Sequence, residues 1–214
     1  MSTPRAARLS ALVALATLAA SVPLLAQAPA VAPPPAAATA PAPPGRPPAP
    51  DAAKLREAMK PFLPAVGNWR GEGWMQMGPG EPQRTVSEER VESHLEGLVL
   101  VIEGLHHSRN ADGTAGRVVH HAFATVSTDP AGGHRLETYL ADGRAAEAHG
   151  QWDNGKFVWS PPAPPGRQIR YVVDWTVADR WYEIGEMSTD GTTWTKFLEF
   201  DLKRVAPLAE SGAS

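Results

Sequence analysis

Gly67-Asn68-Trp69-Arg70-Gly71-Glu72-Gly73-Trp74 decides the fold of this chain. Upstream of it, Asp51 is placed to cap a short helix whose apolar positions are Leu55, Met59 and Phe62. Pro61 and Pro64 then end that helix. Downstream there is only strand-like alternation broken by turn residues. A helix, then Gly-x-Trp, then an unbroken run of hairpins is the opening of a small antiparallel barrel with the helix plugging one end. Gly71 and Gly73 have no helix after them to make a phosphate loop, so they are kinks in the first strand near the closure.

The turn signals divide the rest into ten strands, at 68–77, 84–95, 98–108, 117–128, 135–140, 145–152, 156–160, 168–177, 181–188 and 192–205. Asp112-Gly113, Asp142-Gly143, Asn154-Gly155 and Asp190-Gly191 are hairpin dipeptides. Strands linked in this way make an up-and-down meander, and closing the meander removes its exposed edges. Ile169, Tyr171, Val173, Trp175 and Val177 share one face of their strand, with Arg170, Asp174 and Thr176 on the other. Trp194, Leu198, Phe200 and Leu202 share a face with Lys196 and Arg204, opposite Glu199 and Asp201. Either face can be the lumen.

Residues 1–28 read as an export signal. Arg5 and Arg8 form a basic start, Leu9 to Leu25 is apolar, and Ala26 and Ala28 are small. The apolar run is shorter than the ~20 residues of a spanning helix, so no transmembrane segment is expected after cleavage. Residues 29–50 are almost wholly Pro and Ala, which suits an extended linker. Residues 51–206 form the barrel domain, and 207–214 read as a disordered tail. The chain has no Cys, so neither a lipidated leader nor a disulfide framework is available. Its formal charge is −3, or −5 once the two leader arginines are lost. That is no nucleic-acid footprint. A periplasmic or secreted location is the expectation, with the oligomeric state left open.

Chemistry is sparse. Nucleophile elbow, phosphate loop and dinucleotide fingerprint are all missing, and no catalytic set is legible. Trp69 and Arg204 are expected to pair by a cation–π contact that closes the barrel, a scaffold role. Seven histidines include the adjacent pairs His106-His107 and His120-His121. Neighbours on a strand point oppositely, so only one member of each pair can meet across the ladder, and no zinc-like spacing results. The segment from Ser188 to Trp194 looks like the Asp-box hairpin of sialidases, one residue short, and reads as a turn. The polar residues of the third, fourth, eighth, ninth and tenth strands supply the candidate ligand contacts: Glu103, His120, Arg170, Tyr171, Glu183, Glu186 and Glu199. An inward Glu suits either acid–base chemistry or an ion pair with Arg170 or Arg204.

The segments 67–78 (G-N-W-R-G-E-G-W-M-Q-M-G), 95–104 (L-E-G-L-V-L-V-I-E-G) and 181–204 resemble an uncharacterised bacterial family. That family is related to the domain of unknown function 1579 group, with a calycin or lipocalin-like barrel. The resemblance spans most of 55–205. It implies an all-β, roughly ten-stranded antiparallel up-and-down barrel and brings no activity with it. The opening G-x-W-x-G-x-G is also similar to that of the nitrobindins, ten-stranded barrels that bind haem through a late His. The last His here is His149, ahead of the final three strands, so no haem ligand carries over and no cofactor or metal is implied. The reading that follows is a small hydrophobic or amphipathic ligand held in the barrel. The alternatives are an interaction module with a filled barrel, or an isomerase or hydrolase working through a lumen Glu.

Overall fold

A computed structural model describes residues 49–76 and 78–206. The leader expected at 1–28, nearly all of the linker at 29–50 and the tail at 207–214 lie outside the described residues. Asp51 caps α1 (Ala52–Met59), its carboxylate accepting from the N–H groups of Ala53 and Lys54 at 3.1 and 3.2 Å. Pro61 and Pro64 cannot supply interior helix N–H groups, and the chain tightens into a 3-10 turn, Lys60–Ala65. Met59, Phe62 and Ala65 of this segment are buried. Among the described residues no helix is long and apolar enough to cross a membrane.

Ten strands follow: β1 (Gly67–Met75), β2 (Gln83–His94), β3 (Val99–Arg109), β4 (Ala115–Thr128), β5 (His134–Leu140), β6 (Ala145–Asp153), β7 (Lys156–Ser160), β8 (Gln168–Asp174), β9 (Arg180–Ser188) and β10 (Thr195–Val205). Each pairs antiparallel with its neighbour in sequence, and β10 pairs back onto β1, so the barrel is closed. Two strands are shorter than their alternation suggests. β8 stops at Asp174 because its carboxylate takes the N–H and hydroxyl of Thr176 at 2.9 and 2.6 Å, turning the chain away from the ladder. β10 starts at Thr195 because the carboxylate of Asp190 holds the N–H groups of Thr192 and Thr193 at 2.8 and 2.7 Å.

Parity settles which face is inside. Trp69 and Met75 of β1, Leu100 of β3, Val126 of β4, Leu136 of β5, Phe157 of β7, Val173 of β8, Trp181 of β9 and Leu202 of β10 form one continuous core. The apolar faces are therefore the lumen. On β10 a bulge between Lys196 and Leu198 breaks the single face expected there. Leu198, Phe200 and Leu202 point inward, while Lys196 pairs with Glu199 at 2.6 Å on the outer surface.

One end of the barrel is shut. Phe62 enters it with ring centroids 4.9 Å from His134 and Trp152 and 4.8 Å from Phe157. Trp69, Trp175 and Trp181 continue the same layer through edge-to-face contacts at 5.0 and 5.9 Å. Arg204 clamps this end from outside. Its guanidinium lies 4.2 Å over the ring of Trp69 and donates to the carbonyls of Pro64 and Val66 at 2.7 and 2.6 Å. Its Nε donates to Asp179 at 2.7 Å. Arg204→Ala is expected to lower unfolding free energy by about 2–3 kcal/mol in urea titrations, since it breaks several charge-assisted bonds and a cation–π contact together. Arg204→Lys should recover under half of that, because an ammonium cannot span both carbonyls as a planar fork does.

Candidate functional site

The other end opens into a cavity of about 510 Å³ inside the barrel. Leu140, Arg144 and Ala145 of the β5–β6 hairpin and Pro161 and Pro162 after β7 form its mouth. Ala122, Ala124 and Ala146 leave the space. One wall is aromatic: Trp159 and Tyr171 stack at 4.2 Å, and Phe197 meets Tyr171 edge-on at 5.7 Å.

The opposite wall carries polar groups: Glu89 of β2, His106 of β3 and His120 of β4. Thr85, Ser87 and Glu89 alternate inward and are buried, and the hydroxyls of Thr85 and Ser87 bond at 3.0 Å. Next to them on β3 stands His106, its Nε2 3.4 Å from a carboxylate oxygen of Glu89. The Glu89 side chain lies across Gly104, where a Cβ would come within 2.8 Å of both carboxyl oxygens. His106 faces His120 across the β3–β4 ladder, ring centroids 5.4 Å apart. β1 brings only Gly71 and Gly73 to this part of the lumen, so the His106 ring reaches across and stacks on Phe200 of β10 at 4.5 Å. Beyond Phe200, Glu183 of β9 accepts from the indole N–H of Trp181 at 3.0 Å.

These groups are held in their uncharged forms. Burial, and after it the charge of Glu103, raises the Glu89 pKa to about 8. Burial, and after it the charge of Glu89, raises Glu183 to about 8, against the bond from Trp181. Burial lowers His106 and His120 to about 4, with His121 and His106 respectively as the next causes. Tyr171 is pushed up to about 12 by burial and by Glu183. Near neutrality the lumen therefore presents two carboxylic acids and two neutral imidazoles in an apolar chamber. Nδ1 of His106 and the indole nitrogen of Trp175 are buried without a hydrogen-bond partner.

Of the residues singled out from sequence, His120, Tyr171 and Glu183 line this cavity. Glu103, Arg170, Glu186 and Glu199 do not, because their strand parity puts them on the outer surface. Glu103 pairs there with His121 at 3.0 Å, and Arg170 with Glu186 at 2.8 Å while lying 3.9 Å over Trp194. The ion pair expected inside the barrel is thus made outside it. Trp69 and Arg204 meet at the closed end, away from the cavity mouth. The main residues missed are Glu89 and His106. A signal for Glu89 existed in the Thr85-Ser87-Glu89-Val91 alternation, but Val86 breaks the polar face opposite and blurs it. Among the described residues no group of three or more His, Asp or Glu side chains is arranged to hold a metal ion.

Closed ring and internal cavity together define a lipocalin-like barrel, a class with room for one small ligand. Among solved structures the chain is similar to Rv2717c from M. tuberculosis, with TM-score 0.50 and 16% identity over 71% of this chain and 99% of that one. It is also similar to the S-type phycobiliprotein lyase CPES from Guillardia theta, with TM-score 0.46 and 11% identity over 69% of this chain and 92% of that one. At 16% identity the likeness to Rv2717c is one of fold. No protein-family model and no curated protein matches the chain.

The lumen makes stability depend on pH. A carboxyl whose folded pKa is raised stabilises the fold below the unfolded pKa of 4.5, and that contribution is lost as pH rises to about 8. The two histidines act in the opposite sense, between about 4 and 6.5, where the unfolded state holds the extra protons. The two effects offset each other up to 6.5, so the melting temperature should fall between pH 6.5 and 8. Glu89→Gln and Glu183→Gln should each flatten that fall by about half in calorimetric melts. An unchanged slope in both variants would show that the carboxyls are not the source.

Proposed function

We propose that this protein binds one small, mainly apolar ligand inside the barrel. The cavity carries the reading: a chamber of about 510 Å³, apolar over most of its wall, with a few polar groups in it and a mouth lined by the β5–β6 hairpin and Pro161–Pro162. Ligand sites in proteins have this size and this mixture. The same volume speaks against a barrel packed solid by its own side chains. The basic start at Arg5 and Arg8 and the apolar run behind it support an exported protein, in the periplasm or beyond it.

One observation favours a second reading. Glu89 and His106 stand 3.4 Å apart at the cavity wall. A carboxylic acid beside an imidazole can exchange protons with a bound ligand, which is the chemistry of an isomerase.

Binding is tested with a neutral lipophilic reporter, N-phenyl-1-naphthylamine, whose emission rises in apolar surroundings. Wild-type protein should take up one equivalent. Ala122→Phe and Ala124→Phe, which place a ring in the lumen, should weaken uptake at least tenfold with unchanged far-ultraviolet circular dichroism. Uptake undiminished in both variants would place the ligand outside the barrel.

A further inference from the structure

We infer that the ligand is a lipophilic cation, its positive group taken by Glu89 and Glu183 and its apolar body lying along the Trp159–Tyr171 wall. This rests on the reading of the barrel as a binding chamber.

The first support is a contrast between inside and outside. On the outer surface Glu103, Glu186 and Glu199 each have a basic or imidazole partner at hydrogen-bond distance. Among the described residues, neither carboxyl inside is paired with a lysine or arginine, and the contact nearest to an ion pair is the 3.4 Å approach of His106 to Glu89. The one basic side chain among the cavity residues is Arg144 at the mouth, and it is engaged by Asp142 at 2.8 and 2.6 Å. A buried acid with no cation from its own chain is ready to take one from a ligand. An anionic ligand would meet two acids and no countercharge.

The second support is His106. It is 2% exposed, lines the cavity and has a ring nitrogen, Nδ1, without a partner. At 3.4 Å its other nitrogen is too far from Glu89 for the short contact of a charged imidazolium–carboxylate pair. His106 therefore does not neutralise Glu89. The third support is the wall itself. The stacked Trp159–Tyr171 pair, with Phe197 edge-on to it, offers an extended apolar surface for the body of such a ligand.

Proton linkage follows. Glu89 is faced by His106 from β3 and Trp69 from β1, with Glu103 behind it on the outer side of β3. Glu183 is faced by Glu89, whose charge raises it further, by Tyr171 from β8 and by Phe200 from β10, with Trp181 on its own strand. His120, and Arg144 with Asp142 at the mouth, complete the titratable groups around the chamber. Both carboxyls hold their protons near neutrality because they are buried. An entering cation favours the ionised form, so one proton should leave as it binds, and affinity should rise with pH up to about 8.

Three naphthalene probes test this by titration calorimetry: naphthylmethyl-trimethylammonium, naphthylmethanol and naphthylacetate. The permanent charge of the first removes any titration of the ligand. At pH 8.5 the ammonium should bind at least tenfold more tightly than the alcohol, and the acetate most weakly. Below pH 8 the preference for the ammonium should fall by about tenfold per pH unit, until at pH 6 it is gone. Near pH 6.5, where both carboxyls are protonated, buffers of different ionisation enthalpy should report about one proton released per ammonium bound. The Glu89→Gln/Glu183→Gln double variant should lose the preference and keep the alcohol affinity. If that variant fails to fold, proton release by the wild-type protein decides the matter alone. Equal affinities for ammonium and alcohol, or tightest binding of the acetate, would overturn the inference and leave the binding chamber standing. Failure of all three probes to bind would remove both.

Discussion

Everything in this structure depends on the ladder between β1 and β10. Asn68 through Met75 pair with Leu198 through Val205, and that pairing converts a ten-strand meander into a ring without edges. Closure also fixes parity all round the barrel, because each neighbour must match the pleat of the last. The ladder is locked at one end by Arg204, which holds Trp69, Pro64, Val66 and Asp179 at once. The plug, the first strand, the last strand and the β8–β9 turn are thereby tied to one guanidinium.

The two ends of the barrel are then free to differ. At the plugged end Phe62, Trp69, Trp175 and Trp181 fill the lumen with aromatic rings. Toward the mouth the same inward positions become alanines on β4 and β6 and glycines on β1. Stability is concentrated where nothing needs to enter, and space is left where something can. The polar groups of the lumen work against stability. Two acids and two imidazoles kept neutral by burial carry a cost that an ordinary core would avoid with leucine or valine. Such a cost in a cavity wall marks a site of action.

Much of the scaffold was legible in the chain. Asp51, Pro61 and Pro64 delimit the helix through local hydrogen-bonding chemistry. Gly and Asn at the hairpins mark the turns because they reach backbone angles that other residues avoid, as at Asn154 and Gly155, with φ of 48° and 78°. Strand number and the order of pairing follow from those turns. The misplaced strand ends had a local cause as well: Asp174 and Asp190 capture backbone N–H groups that the ladder would otherwise use.

The site was legible only in part. His120, Tyr171 and Glu183 are named by their residue types, but Glu103, Arg170, Glu186 and Glu199 have the same types and face the other way. Alternation in a strand reports that two faces differ; it carries no sign saying which face is inward. That sign comes from closure and from the bulge at Lys196–Leu198, which are properties of the whole ring. By itself the sequence determined the elements, their order and the kind of barrel they make, because those rest on interactions within a few residues. Only the tertiary structure decided that Glu89, His106 and Glu183 share one chamber, because the β2, β3 and β9 faces meet only across a closed lumen.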